Sequence, residues 1–166
     1  AEAASLPTIT LSDKQSCDLE MIAIGAFSPL TGFVGPEDFR SICTSMRMAD
    51  GTPWPIPINL AVCDETKATL SEGGRAALVH ADGTLMGVID IEALYEHDTA
   101  LELPSVFRTE DDAHPGVQAV LEEGHWLVGG PIHVLTVTPE HEPGEQFTEH
   151  RLAPADTRAA FAARGW

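Results

Sequence analysis

Histidine and carboxylate side chains are the groups in this sequence that could carry out acid–base or metal chemistry. The seven histidines lie singly, and no two are spaced i, i+4, as two metal ligands on one helix face would be. His133 and His141 could meet only through the fold. Acidic pairs such as Glu110-Asp111-Asp112 arise by chance in a chain with 26 acids, and general acid–base catalysis needs a cleft and shifted pKa values.

Glycine and cysteine patterns offer no stronger site. No H-E-x-x-H, G-x-S-x-G or Walker motif occurs, and Gly129-Gly130 lies between strand-like runs and not before a helix. Cys17, Cys43 and Cys63 are far apart, which argues against a disulfide framework or a structural zinc site and favours a reducing, cytoplasmic setting. The sequence therefore predicts no catalytic, cofactor-binding or metal-binding residue.

The charge balance limits the partners that the chain can have. With 26 acids against nine bases, the net charge of −17 repels phosphate backbones and anionic lipid, so we expect neither a nucleic-acid nor a membrane partner. No apolar run is long enough for a membrane span, and no signal peptide opens the chain. The acidic excess is interpreted as a solvated surface, with a specific cationic partner as the alternative. The length fits one domain, or one domain with a short appendage.

The N-terminal third predicts two helices. Ser12 followed by Gln15 forms a capping box for a helix that ends at Gly25, with Cys17, Met21 and Ile24 on one face. A second helix is expected to begin near Pro36, because Phe39, Ile42, Cys43 and Met46 recur at helical spacing.

The middle of the chain changes to strand patterns. Trp54 to Val62 alternates prolines with aliphatic residues, which predicts an edge strand or a strand entrance. Arg75 to Ala81 and Thr84 to Ile91 flank Asp82-Gly83 and predict a β-hairpin. Between Cys63 and Phe107, this hairpin is the only element that the sequence predicts.

The C-terminal part combines helices and strands. Pro115 to Glu123 predicts a short helix with Val117, Val120 and Leu121 facing inward. Trp126 to Val128 and Ile132 to Val137 predict two strands interrupted by Gly129-Gly130-Pro131. Pro154 to Arg164 predicts an alanine-rich helix with Gly165 as its stop. We expect another element to follow Trp166.

Two segments contain more aromatic residues and prolines than an ordinary core or linker requires. One is the aromatic loop from Phe27 to Phe33, and the other is the proline-rich segment from Arg47 to Ile58, which surrounds Trp54. One interpretation is a plug that closes the mouth of a barrel. The other is a docking surface for another domain, with rigid aromatic side chains and Arg47 as anchors.

These segments resemble the sulfate adenylyltransferase family, also called ATP sulfurylases. The similar stretches follow the family's order along most of the chain. They are Leu11 to Gln15 with Cys17 to Glu20, Gly25 to Phe33, Met46 to Ile58, His114 to Val117, Val128 to Ile132, and Leu152 to Arg158 continuing to Trp166. The resemblance is specific to the N-terminal, PUA-like domain of the family.

The resemblance implies an α+β fold, mainly β with short helices, in which a PUA-like β-barrel carries an N-terminal helix pair and a C-terminal helix. Residues 1–151 would form this domain, and residues 152–166 a helix connecting it to a catalytic domain. The family's catalytic domain contains Gln-x-Arg-Asn-Pro and His-x-x-His motifs that bind ATP and sulfate, and neither motif occurs here. The chain alone is therefore predicted to be inactive.

The same resemblance implies the partners. The complete enzyme would use MgATP, contact its own catalytic domain and form a homo-oligomer. The candidate interdomain contacts are Phe27, Phe33, Arg47, Trp54 and Trp166. The alternative function is a stand-alone PUA-like binding module that binds RNA. Such a module should carry a basic stripe, whereas the bases here are scattered singly.

Overall fold

A mixed sheet curved into a half-barrel forms the centre of the protein and confirms the predicted α+β class. The computed structural model describes residues 5–136, 150 and 152–166. The strands in this part are β1 (Thr8–Thr10), β2 (Gly32–Phe33), β3 (Ala61–Val62), β4 (Arg75–Val79), β5 (Leu85–Asp90), β6 (Ala93–Glu96) and β7 (Trp126–Val134). The helices are α1 (Asp13–Ala23), α2 (Pro36–Ser45), α3 (Asp64–Lys67), α4 (Thr99–Glu102), α5 (Pro115–Glu122) and α6 (Pro154–Ala163). A π-helical turn, Leu103–Phe107, continues directly from α4.

Strand β7 is the strand around which the sheet is organised. The main strand order is β1-β4-β5-β7-β2, and β3 and β6 also pair with β7. Its C-terminal half pairs with β5, whereas its N-terminal half pairs with β3 and β6. All of these pairings are antiparallel, and only β1 runs parallel to its neighbour, β4, among the strands described. The change of partners along β7 produces the curvature of the half-barrel.

The predicted interruption of β7 at Gly129-Gly130-Pro131 is wrong, because these residues lie inside one continuous strand. Crowding explains their small size. A Cβ atom on Gly129 would lie 2.7 Å from the carbonyl oxygen of Val34, and one on Gly130 would overlap the carbonyl oxygen of Asp90. Gly130 also has a φ of 149°, which disfavours any other residue. The glycines allow neighbouring backbones to approach closely, which leaves no phosphate loop here.

The predicted hairpin is confirmed. β4 pairs with β5 from Arg75↔Asp90 onward, and Gly83 adopts a φ of 91° in the turn. The Asp82 side chain accepts a hydrogen bond from the Thr84 N–H at 2.8 Å, which fixes the turn locally. The proline-rich segment before the hairpin contributes only Ala61–Val62 as a strand, although residues 57–60 are buried.

Helix α1 begins as predicted but buries a different face. Ser12 and Gln15 form a reciprocal capping box. The buried residues are Gln15, Ser16, Leu19 and Ile22, and Cys17 is exposed. The Gln15 side chain donates a hydrogen bond of 2.9 Å to the carbonyl oxygen of Ala61, so a polar residue can occupy the buried face.

The apolar side chains form one main core and two smaller clusters. The main core joins α1 to the sheet and includes Leu19, Leu60 and Ile89. A second cluster lies between α2 and the N-terminal half of β7. The third consists of Leu103, Val117 and Val120, and Leu121, predicted to face inward, is 49% exposed because it points away from this small cluster.

The remaining helix predictions agree with the structure to within one or two residues. Helix α2 starts at Pro36, α5 starts at Pro115, and α6 runs from Pro154 to Ala163 with Gly165 at a φ of 78°. The predicted boundary at residue 151 falls on a residue outside the described ranges, as do Val137 and His141, and it stays a prediction. Among the helices described, none has the length and apolar character needed to cross a membrane.

Candidate functional site

The aromatic loop from Phe27 to Phe33 and the proline-rich segment from Arg47 to Ile58 contact each other in the structure. The rings of Phe27 and Trp54 contact each other edge to face, with centroids 6.0 Å apart and an interplanar angle of 89°. Both side chains are half-buried, and Trp54 packs against both the main core and the cluster beside α2. Trp54 therefore lies at the junction between two cores with part of its surface exposed, and both the plug and the docking interpretation stay predictions.

A groove of about 580 Å³ lies beside this junction, in the size range of ligand-binding clefts. We call it the acidic groove. Its walls combine the loop and strand at residues 29–36, the turn at Met48 and Ala49, and the backbone around Gly129-Gly130. Its lining residues are Pro29 to Asp38, Met48, Ala49, Glu92, Ala93 and Gly129 to Pro131.

Among the residues that the structure describes, the charged side chains that line the acidic groove are all carboxylates. Asp38 Oδ1 accepts a hydrogen bond from the Ala49 N–H at 2.8 Å and so ties α2 to the turn. Glu37 and Glu92 are exposed, and their side-chain carboxylates take part in no hydrogen bond or ion pair within the described ranges, whereas the Glu92 backbone N–H donates to the carbonyl oxygen of Gly129 at 2.9 Å. Glu37 and Asp38 also lie in the first turn of α2, where they offset the positive end of the helix dipole. The groove therefore disfavours anions.

A second depression, of about 530 Å³, extends the acidic groove along the outer face of α2. The two share Pro36, Glu37 and Ala49, and the second also contains Arg40, Ser41 and Thr44. Together they form one elongated surface whose walls are carboxylates at one end and Arg40, Ser41 and Thr44 at the other.

The structure places the Phe33 ring in the core and the Arg47 side chain at the surface. Phe33 is only 3% exposed, so its ring belongs to the main core and not to a free surface. Arg47 is exposed, and its Nη1 atom donates a hydrogen bond of 3.0 Å to the carbonyl oxygen of Gly51. Since Arg47 also forms a β-bridge with Pro53, its contacts in the chain stabilise its own turn.

Trp166, the fifth candidate, lies at the far end of α6. It is 83% exposed and stacks on Phe161, with ring centroids 5.8 Å apart. No α6 side chain described is buried, and the helix is held at its N-terminal half. There the Ala155 N–H donates to the carbonyl oxygen of Ile24 at 3.1 Å, and Arg158 Nη2 donates to that of Gly25 at 2.6 Å.

Gly25 is required at this contact. Its φ is 76°, and a Cβ atom there would overlap Arg158 Nη2 and lie 3.2 Å from Ala155 Cβ. The glycine that ends α1 therefore also allows the N-terminal half of α6 to pack closely against it.

A buried polar network was not predicted from the sequence. His97 Nε2 lies 2.5 Å from Glu102 Oε2, and the same carboxylate oxygen accepts a hydrogen bond from Asn59 Nδ2 at 3.2 Å. All three residues are at least 91% buried. The nearby Cys43 thiol has its pKa raised to about 12, first by burial and then by Glu102, which favours the protonated thiol at neutral pH.

Two further titratable groups have shifted pKa values. Burial raises the pKa of Asp18, which lies beside Lys14 and Glu123 and has one buried oxygen without a partner. Asp90 has a lowered pKa, chiefly because it accepts a hydrogen bond from His133 at 2.7 Å.

The described side chains form no catalytic constellation. They contain no group of three His, Cys, Asp or Glu residues that could hold a metal ion. His141, which could meet His133 only through the fold, lies outside the described residues, and His133 contacts Asp90. The groove and its rim are suited to binding.

Comparisons with known proteins identify the family of the chain and relatives that align with its whole length. The sequence model of a family described as "PUA-like domain" matches residues 1–137. The chain is 45% identical over all 166 residues to the sulfate adenylyltransferases of Deinococcus deserti and Deinococcus radiodurans, and 38% identical to that of a Synechococcus strain. It covers 41% of each of these relatives, which is their N-terminal domain.

A solved structure has a similar fold. A hexameric APS kinase from Thiobacillus denitrificans matches 99% of this chain and 28% of its own, with a TM-score of 0.66 and 28% sequence identity.

Proposed function

The chain belongs to the PUA-like domain family, and from that membership we propose that it serves as the N-terminal, non-catalytic domain of a sulfate adenylyltransferase. The observation that carries the proposal is the 45% identity to sulfate adenylyltransferases over all 166 residues. The chain spans about two fifths of the length of these relatives. The activity itself is thus assigned to the complete enzyme.

In the proposed complete enzyme, a sulfate oxygen attacks the α-phosphorus of MgATP. A new P–O bond forms, the bond to the bridging oxygen breaks, and pyrophosphate leaves as adenosine 5′-phosphosulfate is made. The transition state carries negative charge and needs cationic groups around it. This chain has nine Lys and Arg residues against 26 acids, and its groove is lined by carboxylates. We therefore assign MgATP and sulfate to the catalytic domain.

The role left to this domain is to support the catalytic domain. Helix α6 and the exposed Phe161–Trp166 stack form the first proposed contact, because they combine apolar surface with an attachment to the rest of the described domain at the N-terminal half of the helix. The half-buried Phe27–Trp54 pair and Arg47 form the second. A homo-oligomer of the complete enzyme is part of the proposal, and the hexameric assembly of the similar APS kinase is consistent with it.

A chimera tests the proposal. In it, this chain replaces the matching N-terminal domain of the Deinococcus deserti enzyme. We expect the chimera to release pyrophosphate from MgATP in the presence of sulfate, and this chain alone to release none. The matched control carries an unrelated domain of similar size in the same position and should be inactive. A folded chimera without activity, or turnover by this chain alone, would contradict the proposal.

The RNA-binding alternative finds no support in the described surface. Its groove is lined by carboxylates, and the net charge of the chain is −17, so a phosphate backbone is repelled. A filter-binding titration at low salt is expected to show no retention of RNA.

A further inference from the structure

We infer that the acidic groove, together with its extension along α2, binds an extended segment of a partner polypeptide that carries Arg or Lys side chains. This inference goes beyond the proposed function and does not depend on it. The groove offers room, unpaired charge and an elongated shape.

Glycine backbone leaves part of the groove open. A Cβ atom at Gly35 would meet no atom within 4 Å, although Gly35 has an ordinary φ of −84° that other residues adopt. By contrast, Gly32 and Gly129 are required by close backbone contacts. The space beside Gly35 is therefore accessible to a ligand, and a side chain introduced there would occupy it.

The charges on the walls select a cationic occupant. In the described part of the chain, the carboxylates of Glu37 and Glu92 line the groove without a partner, and the groove itself is lined by no Lys or Arg, whereas Arg40 lines only its extension. A guanidinium or ammonium group between these walls would gain charge-assisted hydrogen bonds that neither carboxylate makes within the chain. Phosphate, sulfate and nucleic acid are disfavoured by the same carboxylates. A second copy of this chain, with its net charge of −17, is disfavoured as well.

The shape favours a chain segment over a compact ligand. The acidic groove continues past Pro36 and Glu37 into the depression that contains Arg40, Ser41 and Thr44, so the two volumes of about 580 and 530 Å³ form one path. Because Arg40 repels a cation at that end, the Arg or Lys side chains of the occupant would lie at the end formed by Glu37 and Glu92, and its uncharged residues would lie along Ser41 and Thr44. Its floor contains apolar side chains, including Leu30 and Met48, against which the stem of a Lys or Arg side chain can pack. An extended peptide can contact both ends of this path at once.

Fluorescence anisotropy tests the inference with a labelled probe peptide, Gly-Arg-Pro-Ala-Arg-Pro-Gly, and a matched peptide in which Gln replaces both Arg residues. We expect the Arg peptide to bind, with an affinity that falls as salt rises, and the Gln peptide to bind much more weakly. E37Q and E92Q should each weaken binding about two- to fivefold, as expected for partly exposed charge pairs. The control is E110Q, which removes the same charge from an exposed residue outside both depressions and should leave binding unchanged.

A blocking variant tests the location independently of charge. G35W should abolish binding by filling the groove, whereas G35A adds one methyl group in open space and should bind like the native chain. Circular dichroism and the thermal midpoint establish that each variant is folded. The inference is overturned if no binding occurs up to millimolar peptide, if the Gln peptide binds equally well, or if E37Q, E92Q and a folded G35W all leave the affinity unchanged.

Discussion

The buried network around Glu102 makes a strong prediction about stability. In this network one carboxylate oxygen accepts hydrogen bonds from both His97 and Asn59. Replacing Glu102 with Ala leaves two buried donors without an acceptor, and each such loss costs about 1–3 kcal/mol. Breaking a buried pair by removing one partner costs about 3–5 kcal/mol. We therefore expect Glu102→Ala to lower the free energy of unfolding by about 3–4 kcal/mol.

That loss is large beside the total stability of a domain, which is about 5–15 kcal/mol. It corresponds to a fall of about 6–16 °C in Tm for a chain of this length. Urea unfolding followed by circular dichroism measures the change. Glu102→Gln keeps one acceptor oxygen and a similar shape, so it should cost less than half as much. Glu110→Ala, at an exposed residue, should change stability by less than about 0.5 kcal/mol.

The result that would refute the reasoning is an unfolding free energy for Glu102→Ala within about 1 kcal/mol of the native value. It would mean that His97 and Asn59 find other partners, or water, when the carboxylate is removed. A cost for Glu102→Gln equal to that of Glu102→Ala would refute the shared-acceptor explanation in particular.

Three further predictions concern smaller perturbations. Because the pKa of Asp18 is raised in the fold, the folded chain binds its proton more tightly than the unfolded chain, and stability is lost as pH rises from the ordinary pKa of 3.8 through the raised one. Asp18→Asn should remove this loss and be more stable than the native chain at pH 7. Urea unfolding at several pH values measures the difference. His133→Ala should bring the pKa of Asp90 up toward 3.8, because the hydrogen bond from His133 is the main cause of its lowering, and an NMR titration of the Asp90 carboxyl checks this. Gly25→Ala should release α6 and speed amide hydrogen exchange at its N-terminal half, whereas Gly51→Ala, with a similar positive φ but open space around it, should strain the backbone and leave exchange in α6 unchanged.

The elements that could be predicted from the sequence are those fixed by local chemistry. The capping box at Ser12, the Asp82-Gly83 turn and the prolines that start α2 and α5 each satisfy hydrogen bonds or dihedral angles within a few residues. Such signals do not depend on the rest of the fold, and their positions were accordingly correct to within one or two residues.

The wrong predictions concern elements whose conformation or burial depends on contacts between distant parts of the chain. The sequence cannot show that Gly129 and Gly130 lie in a strand crowded by other backbones, so they were interpreted as an interruption. Gln15 lies on the buried face of α1 because it reaches the carbonyl oxygen of Ala61, which is 46 residues away. Strand β6 and helix α4 were not predicted, because short elements that depend on pairing with β7 and on packing have weak periodicity.

The candidate site was predicted only in part. The aromatic loop and the proline-rich segment can be recognised from the sequence, and the structure brings Phe27 and Trp54 into contact, while their role as an interdomain contact stays a prediction. The buried ring of Phe33 and the local hydrogen bond of Arg47 could not be foreseen, because burial and side-chain direction depend on the fold. Glu92 was not singled out in so acidic a chain, and only its position beside the groove distinguishes it.

Because α6 is attached at its N-terminal half, a small rotation at the attachment moves the other end of the helix by a larger distance. Ala155 and Arg158 are fixed to the carbonyl groups of Ile24 and Gly25, whereas α6 ends at Ala163, eight residues beyond Ala155, a span of about 12 Å along the helix axis. A tilt of about 10° at the attachment would therefore displace the end of the helix, where Trp166 stacks on Phe161, by roughly 2 Å. The position of the Gly25 carbonyl group therefore determines the orientation of α6 and the position at which the domain presents Trp166 to a neighbour.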